Sequence, residues 1–223
     1  MNIRLWGILA ILLVALGGVS WLLSRQQNAP QREEVKPPPE IAKQIDKQMG
    51  RSSAPPKIKN STHAPGRVVV LNTTRGTIEF VLFEKDCPKT TARIADLAGS
   101  GAYNGVKFPR VEGWVIQTEA AKKTVAPMGL EIAKGLTHAK GSVGMARTSD
   151  PNMNTSVFYI TLEPAPHLDL QYTNFGRVIK GIDVAMKIKL GDVIKTATVR
   201  PLTDADRKLF NEALQVEAER RTQ

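Results

Sequence analysis

The chain has 223 residues, of which 42% are apolar and 23% charged, enough for one ordinary domain with extensions and short for two. A single cysteine, Cys87, excludes an internal disulfide framework, a cysteine-based zinc finger and a CxxC redox pair. The formal net charge of +10 divides into +5 over residues 1–66, +6 over 67–201 and −1 over 202–223, with no basic run longer than two. That distribution reads as a mildly basic solvated face and argues against a dedicated nucleic-acid surface.

In chain order, the first element is Leu5–Leu23, an uncharged apolar stretch between Arg4 and Arg25. At 1.5 Å per residue it reaches roughly 28 Å, the thickness of a bilayer's hydrocarbon core. Residues 1–25 therefore read as a single-pass membrane anchor. A cleaved signal peptide is the competing reading, but the run continues through Trp21, past the small residues a peptidase would need. The count of flanking positive charges alone favours a cytoplasmic C-terminus, yet long soluble segments translocate largely regardless of charge. The expectation taken is a domain outside the cytoplasm.

Residues 26–66 read as a Pro-rich linker, with Pro30, Pro37–Pro39, Pro55, Pro56 and Pro65 among polar residues. Such a tether is extended, at about 3.1 Å per residue. Ile41–Met49 has room for one or two helical turns within it.

Order is expected from Arg67. Val68–Leu71 reads as a buried strand, Thr73–Gly76 as a turn and Thr77–Phe83 as an alternating strand, together a hairpin. Cys87-Pro88-Lys89-Thr90-Thr91 opens a helix with Ile94, Leu97 and Ala98 at helical spacing, broken by Gly99, Gly101 and Gly105. Short strands are expected at Val106–Val111, Trp114–Gln117, Ser142–Ala146, Ser156–Leu162, Phe175–Ile179 and near Thr196–Arg200, with a short helix over Ile182–Ile188. Many short strands, Gly/Pro turns and few helices predict a mainly β domain, a closed antiparallel barrel capped by helices, over residues 67–202. Residues 203–223 form a C-terminal extension. Thr203-Asp204-Ala205-Asp206 has the pattern of a capping box, and Leu209, Ala213 and Val216 continue a helix expected to pack on the domain.

The chemistry concentrates in Lys107–Gln117 (KFPRVEGWVIQ), where Arg110 is followed by a turn at Glu112-Gly113 and a strand carrying Trp114 and Gln117. Three further segments follow in order: Gly141–Thr148 (GSVGMART), Asn154–Thr161 (NTSVFYIT), and His167-Leu168-Asp169 with Tyr172–Val178 (YTNFGRV). This ordered series, with the opening hairpin and the CPKTTARIADLAGSGAYNG helix, resembles the cyclophilin family of peptidyl-prolyl cis-trans isomerases over about 135 residues. The family pattern runs F-x-R-V-x-x-x-F-x-x-Q, G-x-x-x-M-A, S-Q-F-F-I, L-D and F-G-x-V.

The resemblance implies an eight-stranded barrel and rotation about Xaa-Pro bonds in proline-containing polypeptides; with the domain anchored outside the cytoplasm, the expected role is assisting the folding of exported proteins. It makes Arg110 the catalytic residue. It implies a substrate site built from Phe108, Trp114, Val115, Gln117, Ala146, Arg147, Val157, Tyr159, Leu168 and Tyr172, and it calls for no cofactor, metal or nucleophile. A monomer is expected, with the membrane as partner of the N-terminal helix and no nucleic acid.

Departures from the pattern narrow this expectation. Arg110 and Gln117 are seven positions apart where the family has eight, Val157 replaces the glutamine of S-Q-F-F, Thr118-Glu119-Ala120 replaces G-G-D, and His167 stands where cyclosporin-sensitive relatives have tryptophan. They predict reduced or narrowed activity and weak binding of that drug; a peptide-binding module without turnover is the alternative. His63, His138 and His167 are too scattered for a metal site, and Asp169 reads as a turn former.

Overall fold

The computed structural model describes residues 65–220. The predicted anchor and residues 26–64 of the predicted linker lie outside the described residues, and among the described residues no helix is long and apolar enough to cross a membrane.

Among the described residues eight strands and three α-helices follow one another: β1 (Val68–Thr73), β2 (Gly76–Leu82), α1 (Pro88–Gly99), β3 (Arg110–Glu112), β4 (Val115–Gln117), β5 (Ser142–Met145), β6 (Phe158–Thr161), β7 (Asn174–Lys180), α2 (Ile182–Ala185), β8 (Ile194–Arg200) and α3 (Asp204–Arg220). A 3₁₀ turn at Pro166–Leu168 precedes β7. The strands form one sheet in the order β3-β4-β6-β5-β7-β2-β1-β8, with every neighbouring pair antiparallel.

The expected closed barrel is corrected to a half-barrel. β3 and β8 end the sheet and share no ladder. Instead the chain ahead of β3 runs beside the start of β8: Gly105 N–H donates to Ile194 O at 2.6 Å, Ile194 N–H to Val106 O at 2.8 Å and Phe108 N–H to Asp192 O at 3.0 Å. Pro109 has no N–H to continue this pairing, so it stops one residue before β3. The strand expected over Val106–Val111 is accordingly reduced to Arg110–Glu112.

The concave side of the sheet closes over the main core, where Phe80, Phe158, Phe175 and Tyr103 meet α1 through Ile94 and Leu97. Pro88 occupies the first turn of α1, where a missing N–H costs nothing. The next two N–H groups, of Lys89 and Thr90, donate to the Glu131 carboxylate at 3.0 and 2.7 Å, so a distant side chain caps the helix.

A second, smaller core lies under α3. Phe210 packs against Phe83 with ring centroids 5.8 Å apart, beside Val68, Val81 and Leu136. The capping box is present: Asp206 N–H donates to Thr203 Oγ1 at 3.2 Å and Thr203 N–H to Asp206 Oδ2 at 2.9 Å. Asp206 is buried, accepts from Arg200 Nη1 and Nη2 at 2.5 and 2.9 Å, and fastens the helix to β8. Arg200 also pairs with Glu79 on β2.

Candidate active site

A third apolar cluster, of Val115, Tyr159, Ala165 and Leu168 with Trp114, Ala146 and Tyr172 against it, lies apart from both cores, and all of its members but Ala165 line a cavity of about 260 Å³. The β3–β4 hairpin supplies one wall. Its register sets Arg110 opposite Gln117 and Glu112 opposite Val115, which leaves Gly113-Trp114 as a two-residue loop. Trp114 is therefore in the turn and not on the expected strand. Its ring projects at the rim, edge-to-face with His167 at 5.1 Å.

Arg110 Nε donates to Glu112 Oε1 at 2.7 Å, Nη1 donates to Gln117 Oε1 at 3.3 Å, and the guanidinium carbon lies 5.4 Å from the Trp114 ring centre. These contacts aim the group along the mouth of the cavity, and among the described residues no hydrogen bond takes Nη2. The ion pair with Glu112 is half-exposed on both sides, so it holds Arg110 weakly, by about 0–1 kcal/mol.

β6 contributes Tyr159, placed opposite both Gln117 and Gly144. Gly144 is a true requirement: a Cβ there would overlap the Tyr159 hydroxyl and ring. The segment after β5 contributes Ala146, whose N–H donates to Val157 O at 2.9 Å, and Arg147. Arg147 stacks on Tyr172, with its guanidinium carbon 4.4 Å from the ring centre. Its Nη1 and Nη2 donate to the carbonyls of Thr148, Ser149 and Gln171, which joins two loops across one side of the cavity.

Nine of the eleven residues singled out in the sequence thus surround one cavity: Arg110, Trp114, Val115, Gln117, Ala146, Arg147, Tyr159, Leu168 and Tyr172. His167 joins them. Phe108 does not, because it is fully buried in the main core. Val157 lies outside the lining and acts through its carbonyl on Ala146.

Sequence reasoning missed His138. This residue is 2% exposed, and its Nδ1 lies 2.8 Å from Asp169 Oδ1 while its Nε2 lies 2.9 Å from the Tyr159 hydroxyl. The same Asp169 oxygen accepts the His138 backbone N–H at 2.7 Å. Asp169 does sit in a turn, but its carboxylate is spent on His138. The three residues are 31 and 21 positions apart, and no local pattern joins them. Burial pushes the Tyr159 phenol above its ordinary range, with the neighbouring Tyr172 and Asp169 adding to the effect, so it acts as a neutral hydroxyl. Among the described residues no three His, Cys, Asp or Glu side chains converge as a metal site.

A guanidinium with an uncommitted donor thus overlooks an apolar cavity with a glutamine amide at its edge. The sequence pattern of the cyclophilin type peptidyl-prolyl cis-trans isomerase/CLD family matches residues 68–206. The chain belongs to this family. A probable peptidyl-prolyl cis-trans isomerase of Brucella suis is 33% identical over 153 residues, covering 61% of this chain and 78% of that protein. Peptidyl-prolyl cis-trans isomerase A of Dickeya dadantii is 34% identical over 160 residues, covering 66% and 80%. Among solved structures, a cyclophilin type peptidyl-prolyl cis-trans isomerase of Cryptosporidium parvum, crystallised in the presence of the dipeptide Ala-Pro, is similar to this cyclophilin with a TM-score of 0.55 and 27% identity, over 60% of this chain and 98% of that one.

Proposed function

We propose that this cyclophilin is a peptidyl-prolyl cis-trans isomerase that turns over Xaa-Pro bonds in polypeptides, with Arg110 as its catalytic residue. The observation that carries the proposal is the position of the Arg110 guanidinium at the mouth of the apolar cavity. Rotation about the amide faces a barrier of about 18–20 kcal/mol because the nitrogen lone pair is conjugated with the carbonyl. At the twisted transition state that lone pair is released and becomes an acceptor. A guanidinium donor beside it binds the twisted form better than the planar one, which is the requirement for catalysis. Arginine keeps its charge at any working pH, so no general acid or base has to be tuned.

In this reading the proline ring sits against Trp114, Val115, Tyr159, Leu168 and Tyr172, and Gln117 holds the peptide main chain while it steadies Arg110. The membrane-anchor reading of residues 5–23 adds a location: a monomer tethered outside the cytoplasm that assists exported proteins. A protease-coupled assay of Xaa-Pro peptides on the full-length chain and on Arg110→Ala tests the activity. Loss of one preorganised donor should cost about 10²–10³ in kcat, and equal rates for the two proteins would remove the enzyme reading. Protease protection after fractionation tests the location; a domain protected in intact cells refutes it.

A further inference from the structure

We propose that His138 is a positioning residue, a buried hub that fixes the walls of the peptide cavity by holding Tyr159 on one side and the Leu168–Tyr172 loop on the other. This rests on reading the cavity as the peptide site. A carboxylate only accepts hydrogen bonds, so the imidazole Nδ1–H donates to Asp169 Oδ1 at 2.8 Å. In the tautomer with its hydrogen on Nδ1, Nε2 accepts and the Tyr159 hydroxyl at 2.9 Å donates to it. The phenol hydrogen is thereby turned into the protein and away from the cavity, so the ring meets a ligand with an apolar surface.

Two independent features indicate that this arrangement is built rather than incidental. Opposite Tyr159 on β5 the chain has Gly144, the one residue that leaves room for the hydroxyl end of the ring. The turn that delivers Asp169 holds Leu170, half-exposed, in the left-handed region at φ 59°. A bulky L-residue rarely adopts that backbone unless surrounding contacts impose it. Those contacts include the two hydrogen bonds from His138 to Asp169 Oδ1. Because Leu168 and Tyr172 flank this turn, one imidazole couples three pieces of the cavity wall.

The test is a pair of comparisons on the full-length chain, with the Kd of an Ala-Pro-containing peptide read by calorimetry. In His138→Leu the Tyr159 hydroxyl loses its acceptor, and a proline ring seated on it excludes the water that could replace it. Peptide affinity should fall about tenfold. In His138→Leu/Tyr159→Phe the orphaned hydroxyl is gone and only the lost imidazole–Asp169 bond remains, since the backbone N–H at 138 still reaches Asp169 Oδ1, so affinity should recover to about threefold below wild type. Losses that simply multiply would overturn the proposal. The second comparison works even where His138→Leu does not fold. Asp169→Asn keeps one oxygen able to accept both bonds and should bind within about twofold of wild type, whereas Asp169→Ala should bind about fivefold more weakly; equal affinities for these two would also overturn it. Turnover by Arg110→Ala is measured alongside. A wild-type rate there ends the isomerase reading, while the affinity comparisons still decide the role of His138.

Discussion

Gly144→Ala probes the contact that ties the sheet to the cavity. The backbone at 144 suits any L-residue, since its φ is not positive, so the substitution is opposed by space alone. The added methyl would fall on the hydroxyl and the adjacent ring carbons of Tyr159, a flat ring only 4% exposed and pinned at its far end by His138. The ring must shift and the buried hydrogen bond must break. Overpacking of this kind costs about 1–3 kcal/mol and an orphaned buried hydroxyl about 1–3 kcal/mol, so a total near 3 kcal/mol is expected. For a domain of this size that lowers Tm by about 6–12 °C. Thermal unfolding followed by circular dichroism reads the loss. Adding Tyr159→Phe removes both the nearest clashing atom and the bond that pins the ring, and should recover at least half of it. A Gly144→Ala protein melting within 2 °C of wild type, or a double variant no better than the single one, would refute this account.

Further outcomes follow from three other parts of the fold. Asp206→Ala should destabilise the chain by about 2–4 kcal/mol in urea unfolding, because it removes a buried, two-pronged partner of Arg200 together with the α3 cap. The hydrogen bonds from Arg200 and Thr203 hold the Asp206 carboxyl well below the usual range, so the unfolded chain takes up this proton first; the stabilisation is present above about pH 4 and lost as pH falls below it, and Asp206→Asn should flatten that part of the pH curve. Burial, aided by the nearby Glu131 and Asp86 charges, pushes the Cys87 thiol up to about 12. A disulfide reagent at pH 8 should therefore label it only in urea, and rapid labelling of the native protein would contradict its burial. In addition the unfolded chain loses this proton before the folded one, so alkali above about pH 9 should erode stability. Glu112→Gln should change kcat/KM by less than about fivefold, the ceiling for a half-exposed ion pair; a larger change would make Glu112 part of the machinery.

Much of this was legible in the sequence where the signal is local. The β1–β2 hairpin is written in an apolar run before Thr74-Arg75 and an alternating one after it, and the α3 cap in Thr203-x-x-Asp206. The ordered family motifs locate the nine residues around the cavity without any knowledge of their separation in space. What was not legible depends on register or on distance along the chain. Trp114 reads as a strand residue, but pairing Glu112 with Val115 leaves it in the loop. Phe108 reads as a neighbour of Arg110, yet the run beside Asp192–Ile194 turns it into the core. His138 and Asp169 each look unremarkable alone, and only the packing of two turns reveals their bond.

The sheet also says something about the order of events during synthesis. Its two longest ladders include β1 with β8, so Val68, at the start of the folded part, pairs with Arg200 near its end. The small core over Phe83 is covered only when Phe210 arrives. Pairings of such long range are slow and come late. A ribosome must therefore deliver Arg200 and Phe210 before the half-barrel and its second core can be completed, so the first strand waits for a partner more than a hundred residues behind it.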